Sequence, residues 1–315
     1  MNHLPISDNA ARQYIDSVTI FEEHQRVLAE AYKFSGSMYW KNENGYSYLV
    51  KTHPRSRRQE RLGPRSSQTE LVFDRYTAQK TALDARLSSL TQALVEAQRL
   101  NKALKVGRVP NLVVDILQRF QEASLIEHFT VVGTHAMYAY ETAAGVRIMP
   151  SALATQDVDL LWDARKRVKF IAEMTSQDTS VIQVLQRADN TFVRMENQNE
   201  TAINAKGFQV DFLRRQPEHG DPHPFRFSEQ DDDLWPVQAV RASVLTSAPR
   251  FSQVVVAANG HMAMMKTISP EAFVDFKRWL ANKASEREPI KRRRDQLQAD
   301  IVQSLIDEGL LVTAG

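Results

Sequence analysis

The 315-residue sequence contains no cysteine. Disulfide frameworks, zinc sites built from thiolates and a cysteine nucleophile are therefore excluded, because each of them needs the side chain that is missing. The absence also fits a reducing compartment, and we expect a cytoplasmic protein.

Long hydrophobic runs are missing as well. No stretch approaches the roughly 20 apolar residues that span a bilayer, and the opening residues MNHLPISDNAARQYIDS lack the basic start and apolar run of a signal peptide. We expect a soluble protein with no membrane partner. An excess of one charge is also absent, since 40 Lys and Arg balance 38 Asp and Glu to give +2. The overall charge therefore predicts no particular ligand.

The patterns that are present divide the chain into three predicted regions. Residues 1–110 are expected to be helical, with a β-hairpin and a basic connector. Residues 111–255 mix short apolar strands with helices, which predicts an α+β core with a mixed sheet. Residues 256–315 are predicted to be helical again.

Two local signals organise the first region. The hairpin at 36–51 has Asn44-Gly45 between two aromatic-rich arms, a strong turn signal. After the basic connector at 53–66, Ser67 and Glu70 have the spacing of a capping box and predict the start of a long helix.

The first candidate functional element is VVGTHAM, in which a predicted strand runs through Gly133-Thr134 directly into a predicted helix. A glycine there lets the backbone approach a ligand, and the free N–H groups at a helix start favour phosphate. A purely structural turn is the alternative.

The second is the pair Asp157 and Asp159 in QDVDLL. Carboxylates at i and i+2 of a strand leave the same face, and two like charges so close are costly unless a cation lies between them. The alternative is a strand end at which both aspartates face water. Sugar-nucleotide glycosyltransferases use the same spacing, so the pair does not choose between classes of enzyme.

The third is Asp211, in the middle of the apolar run FQVDFL. A metal would relieve the cost of burying that charge, and so would an ion pair with Arg214 or Arg215. Together, a glycine turn, a D-x-D strand and a later strand aspartate can form a site for two Mg²⁺ ions, or Mn²⁺ in their place, that holds the attacking and leaving oxygens of a displacement.

These motifs resemble the DNA polymerase beta-type nucleotidyltransferase superfamily, and more narrowly a bacterial group of nucleotidyltransferase-fold proteins. The segments that carry the resemblance are VVGTHAMYAYETAAGVRI, ATQDVDLLWDAR and GFQVDFL, with GSMYWKNENGYSYLV, RLGPRSSQTE and FKRWLANKASEREPIKRRRDQLQA outside the central motifs. The resemblance therefore covers most of the chain.

The resemblance implies a role for each central residue. Gly133 and Thr134 would grip the triphosphate of an NTP, Asp157 and Asp159 would bind both metals, and Asp211 would bind one metal and help deprotonate the acceptor hydroxyl. The sequence departs from the superfamily in having Thr134 where a serine is usual, and in an insertion at about 145–155 that we expect over the site.

Three basic residues of the last region are further candidates for nucleotide binding. The resemblance suggests that Lys277 reaches the phosphates and that Arg287 and Lys291 help to hold the nucleotide, together with Asp295. The alternatives are a surface lysine at 277 and ion pairs that only join helices.

Positive and aromatic clusters bear on the acceptor. The arginines of the connector and the run at 291–294 suit a phosphate backbone, and the hairpin aromatics could stack on bases; these residues are Arg55, Arg57, Arg58, Arg61, Arg65, Lys291, Arg292, Arg293, Arg294, Tyr39, Trp40, Tyr46 and Tyr48. Solvated charges and a packed hairpin are the alternative reading.

The sequence therefore predicts a metal-dependent transfer of an NMP from an NTP to an acceptor hydroxyl, with pyrophosphate released. RNA or tRNA is favoured as the acceptor, in a toxin-like activity, over protein or a small molecule. The alternatives are a metal-dependent glycosyltransferase that uses only the D-x-D pair, and a non-catalytic nucleotide- or partner-binding module on the same fold.

Overall fold

A computed structural model describes residues 2–53, 58–218, 220–283 and 287–311. Arg55 and Arg57 of the basic connector lie outside the described residues. The chain groups into two compact units, Arg12–Leu104 and Met1–Ala11 with Lys105–Gly315. The division into three regions stays a prediction.

The elements are numbered in chain order. The strands are β1 His3–Pro5, β2 Ser37–Glu43, β3 Tyr46–Thr52, β4 Gln59–Pro64, β5 Phe129–Val132, β6 Val146–Ile148, β7 Asp157–Trp162, β8 Val193–Met195, β9 Gln198–Ile203, β10 Gln209–Arg214, β11 Val237–Gln238, β12 Arg250–Val256 and β13 Met262–Ile268. The helices are α1 Asp8–Tyr32, α2 Ser67–Ala103, α3 Asn111–Glu122, α4 Met137–Ala143, α5 Pro150–Leu153, α6 Arg167–Gln177, α7 Val181–Gln186, α8 Ala242–Ser247, α9 Pro270–Lys283 and α10 Pro289–Asp307.

The unit Arg12–Leu104 contains most of α1, the long helix α2 and the antiparallel sheet β2-β3-β4. The predicted hairpin is confirmed: Asn44 and Gly45 have positive φ and join β2 to β3. The predicted capping box is displaced by one residue. Ser66 caps α2 and exchanges hydrogen bonds with Thr69.

The larger unit is built around a mixed sheet with the strand order β5-β7-β10-β9-β8, and β11 also pairs with β10. The strands β7 and β10 are parallel, whereas β5 is antiparallel to β7 and β9 is antiparallel to β10. The predicted α+β class is confirmed. The prediction that the chain is helical after about residue 256 is wrong at 262–268, where β13 pairs with β12.

The alternation of side chains across β7 and β10 fixes which face carries polar groups. Val158, Leu160 and Trp162 are buried on one face of β7, and Phe212 of β10 packs with Phe120 of α3 on that side. The residues between them leave the opposite face. A slip of one residue would exchange core and polar side chains, so the aromatic core also fixes the register of the acids.

None of the helices in the described part of the chain combines the length and apolar character that crossing a bilayer requires.

Candidate active site

Three aspartates converge on the polar face of the central sheet. Asp157 and Asp159 are two residues apart on β7, and Asp211 lies opposite Asp159 in the parallel strand β10. One carboxylate oxygen of each lies within 4.8 Å of the others. Residues more than 50 positions apart in the sequence are thus neighbours because β7 and β10 pair in register.

The glycine turn lies directly against this cluster. Val132 is the partner of Asp159 in the β5–β7 pairing, so Gly133 follows at the end of the strand beside that carboxylate. Gly133 has φ +68°, and a Cβ built on it would overlap Oδ2 of Asp159. Glycine is therefore required at position 133. Its positive φ is unfavourable for residues with a side chain, and the Asp159 carboxylate occupies the space that a Cβ would need.

The segment after Gly133 differs from the predicted helix. A 3-10 turn over Gly133–Ala136 precedes α4, a helix of seven residues. A helix dipole of that length contributes little here, so the expected phosphate contact depends on the turn itself. Thr134 is buried, and its Oγ1 accepts a hydrogen bond from Nε2 of Gln298 at 3.2 Å.

Burial and mutual repulsion shape the electrostatics of the acids. Burial, followed by the charges of Asp157 and Asp211, raises the pKa of Asp159 to about 7. Burial also raises the pKa of Asp211, although the Thr201 hydroxyl donates to that carboxylate. A cluster that resists ionisation in this way is stabilised by a neighbouring cation.

The hydrogen bonds of the cluster hold two of the carboxylates in place. Thr155 donates its hydroxyl to Oδ1 of Asp157, and Thr201 on β9 donates to Oδ1 of Asp211 at 2.6 Å. Thr155 ends the segment predicted as an insertion over the site, and it does contact the cluster. That segment also contains β6 and α5.

The two arginines proposed as alternative partners of Asp211 are engaged elsewhere. Arg214 bonds to Pro222 O and to Nδ1 of His223, and Arg215 forms ion pairs with Glu218 and Asp221. The expectation of an arginine pair at Asp211 is therefore wrong among the described residues.

Cations from α9, from α10 and from the segment between these helices line a cavity of about 290 Å³ together with two of the acids. Asp157 and Asp159 line this cavity, as do Gly133, Thr134, Lys277, Arg287, Lys291 and Arg294. The predicted nucleotide-binding residues thus border the same space as two of the three acids. Asp211 does not line this cavity, although its carboxylate belongs to the aspartate cluster.

Asp295 organises two of these cations. Its side chain is fully buried and accepts from Nζ of Lys277 at 2.9 Å and from Nε of Arg287 at 2.5 Å. Lys277 is itself only 3% exposed, so the alternative of a surface lysine is wrong. Burial lowers the pKa of Lys277, while Asp295 and Asp159 favour its charged form. Lys291 is half exposed and pairs with Glu288 at 3.5 Å.

Sequence reasoning missed Thr201, Gln298 and Trp279. Thr201 has a signal in retrospect, since β9 and β10 form consecutive antiparallel strands and place it opposite Asp211. Gln298 lies three residues after Asp295 on α10, but nothing in the sequence indicates that it pairs with Thr134. Trp279 lines the cavity.

The donor set fits a divalent cation. Carboxylate oxygens are the ligands that Mg²⁺ and Mn²⁺ prefer, and Mg²⁺ is commonly held by few carboxylates together with substrate phosphates. Three half-buried acids with a raised pKa at Asp159 meet that description. No thiolate or imidazole joins the cluster among the described residues, and the buried ring of His135 packs between Tyr138 and Phe208.

A mixed sheet with three aspartates beside a glycine turn is the arrangement that the resemblance to nucleotidyltransferases implies. A protein-family model described as "Nucleotidyltransferase" matches residues 111–312, well over half of the chain. The chain belongs to this family. No curated protein and no solved structure gave a significant match. The matched segment contains all eight candidate site residues and excludes the unit Arg12–Leu104, and the family implies an NTP as substrate.

Proposed function

We propose that this protein transfers an NMP from an NTP to an acceptor hydroxyl in a Mg²⁺-dependent reaction that releases pyrophosphate. The observation that carries the proposal is the register of β7 and β10, which brings Asp211 opposite Asp159 on the face that Asp157 shares. The cationic side of the cavity complements the triphosphate.

Asp157, Asp159 and Asp211 would hold the metal ions. When bound, these ions neutralise the developing charge and stabilise the attacking and leaving oxygens. The chain itself supplies position and charge. The Gly133-Thr134 turn offers a backbone free of side-chain bulk, and Lys277 and Arg287 supply positive charge for the phosphates. Asp295 holds both cations in place before the substrate arrives.

The reaction is a single displacement. The acceptor oxygen forms a bond to the α-phosphorus while the bond from that phosphorus to the bridging oxygen of the β-phosphate breaks. The carboxylate of Asp211 takes the hydroxyl proton, and the hydrogen bond from Thr201 to its Oδ1 holds that carboxylate in position. Pyrophosphate leaves with the bridging oxygen, so atoms and charge balance.

RNA as the acceptor, and a toxin-like role, stay predictions. Two of the basic residues on which they depend have acidic partners in the structure: Arg61 pairs with Glu43, and Arg65 pairs with Glu70 at 2.8 Å. Arg61 and Arg65 also lie over the rings of Tyr48 and Trp40. These contacts favour a packed hairpin, so the acceptor is better identified by experiment.

A labelling experiment tests the reaction. The protein is incubated with Mg²⁺, cell extract and each NTP labelled at the α- or the γ-phosphate, and label is then measured in RNA, protein and small-molecule fractions. Transfer of α-label but not of γ-label into one fraction is expected, with labelled pyrophosphate released from the γ-labelled NTP. Transfer of γ-label would instead show a kinase. Absence of transfer with NTP binding retained would show a non-catalytic module.

Asp211→Asn separates the proposal from glycosyl transfer. The variant is expected to lose at least about 100-fold in rate, the effect of removing one electrostatic stabiliser of a transition state. Asp178→Asn is the matched control, because Asp178 is exposed and has a left-handed backbone that asparagine also adopts. Normal activity of Asp211→Asn would support a sugar nucleotide as the donor.

A further inference from the structure

The cavity beside the aspartates also has apolar lining residues that the proposed chemistry does not use. Val132, Ala239, Ala242 and Leu245 are among them, together with Leu161, Leu213, Val240, Phe276, Trp279 and Leu280. The last six include the aromatic rings and the most exposed apolar side chain of the lining. The Nε1–H of Trp279 is the only polar side-chain group among these six. We call these six residues the apolar shelf.

Leu161 of the shelf is buried, but the other five residues are accessible to a ligand. Val240 is 67% exposed although it lines the cavity, and Phe276, Trp279 and Leu280 are half-buried. Apolar side chains that remain exposed to solvent next to charged groups are typical of a surface that binds a ligand. Leu161 and Leu213 come from β7 and β10, so the strands that carry the acids also contribute to the shelf.

The aromatic part of the shelf is ordered by packing. The rings of Phe276 and Trp279 lie nearly parallel, with 15° between their planes and 6.4 Å between their centroids. The guanidinium of Arg241 lies 5.0 Å from the centroid of the Trp279 ring. Both contacts restrain the indole, so a flat ligand meets a surface whose orientation is already set.

We infer that the apolar shelf binds the base of the NTP, and that Trp279 is its main stacking surface. The inference rests on the proposed function. A ligand that contacts both the cations and the apolar rings of this one cavity joins an anionic group to a flat aromatic group. A nucleoside triphosphate has that construction.

The shelf also sets the selectivity among bases. A site that recognises a base by side-chain hydrogen bonds rejects the wrong base strongly, whereas an apolar surface discriminates weakly. The six side chains offer a single donor and no acceptor. We therefore expect ATP, GTP, CTP and UTP to bind within about 30-fold of one another, with purines ahead because they stack over more area.

Binding of ATP and of inorganic tripolyphosphate tests the inference, each titrated calorimetrically with Mg²⁺ and again with EDTA. Tripolyphosphate carries the anionic part of the ligand without a base. Trp279→Ala is expected to weaken ATP binding by about 10-fold or more, as loss of a base–aromatic stack does, and to leave tripolyphosphate binding unchanged. Trp279→Phe is expected to restore most of the ATP affinity.

Trp235→Ala is the matched control. Trp235 is also half-buried, with an arginine, Arg226, over its ring, but it does not line the cavity. ATP binding by this variant should equal that of the wild type.

The outcomes separate the two proposals. If wild-type protein binds neither ATP nor tripolyphosphate, the proposed function fails. If it binds both, and Trp279→Ala weakens neither or weakens both equally, the shelf assignment is overturned while the proposed function stands. A preference for one NTP of more than about 1,000-fold would also overturn it, because such selectivity needs hydrogen bonds to the base.

Discussion

Gly133 and Asp159 fit together so closely that Oδ2 of Asp159 occupies the place where a side chain at position 133 would begin. The contact links the turn at the end of β5 to the central carboxylate of β7. It makes the conformation of the turn and the position of the acid depend on each other.

Gly133→Ala is expected to lower the transfer rate by at least about 100-fold, because the new Cβ displaces Asp159. Gly145→Ala provides the control, since Gly145 also has positive φ, at +63°, but has no atom within 4 Å of the added Cβ. Both variants carry a backbone strain of about 1–2 kcal/mol. Equal activities in the two variants would show that the contact with Asp159 has no role.

Asp159→Asn is expected to stabilise the metal-free protein while abolishing transfer. The substitution removes a buried charge that the neighbouring acids oppose, so the unfolding midpoint in EDTA should rise by a few degrees. Addition of Mg²⁺ should then produce a smaller rise than in the wild type, because a ligand that binds only the folded state stabilises it in proportion to its affinity. A lower midpoint in EDTA would show that Asp159 has an unrecognised structural partner.

Asp295→Ala is expected to lower the free energy of unfolding by about 3–5 kcal/mol, because it leaves the buried ammonium of Lys277 without its partner. Urea denaturation measures the loss. Lys277→Met combined with Asp295→Leu removes both charges and should regain most of the stability, since an apolar pair of similar volume replaces an ion pair at little cost. The double variant should still bind ATP poorly. Recovery of wild-type ATP affinity would show that Lys277 serves only to join α9 and α10.

His128 gives the stability a dependence on pH that is independent of the active site. Burial lowers the pKa of His128 below its ordinary value of 6.5. The carboxylate of Glu173 opposes this shift, with its Oε2 at 2.5 Å from Nε2 of His128. The folded protein therefore keeps the ring neutral where the unfolded chain binds a proton. The contribution of His128 to stability is complete above pH 6.5 and is lost as the pH falls below it.

Urea denaturation at a series of pH values measures this effect. His128→Gln keeps a hydrogen-bonding group but cannot titrate, so its free energy of unfolding should fall less than that of the wild type between about pH 7 and 5. His261→Gln, at a more exposed histidine, should follow the wild-type curve. Parallel curves for His128→Gln and the wild type would contradict the prediction.

The sequence singles out the acids because each of them lies within or at the start of an apolar strand. The strands β7 and β10 are otherwise apolar, and they carry the charged residues Asp157, Asp159 and Asp211. Removing such charges from water costs free energy unless a partner or a cation compensates them. Their meeting in space follows from parallel pairing, which the resemblance implies but the spacing alone does not.

Other parts of the fold carry no comparable signal. The strand β13 reads MAMMKTI and is buried on nearly both faces, so it shows no alternation that would distinguish it from a helix. Asp295 and Gln298 lie on a helix whose pattern reveals its buried face but not its neighbours. The sequence also does not show that Lys277 is buried, because the burial depends on the ion pair with Asp295, which lies 18 residues away.

The position of α10 has a consequence for how the site is assembled. Gln298 holds the Thr134 hydroxyl, and Asp295 holds Lys277 and Arg287, so α10 anchors groups that all precede it in the sequence. Without α10 the chain keeps the three acids, Lys277 and Arg287, but it loses the carboxylate that holds the two cations together. Removal of α10 is therefore expected to weaken nucleotide binding although every strand of the central sheet is still present.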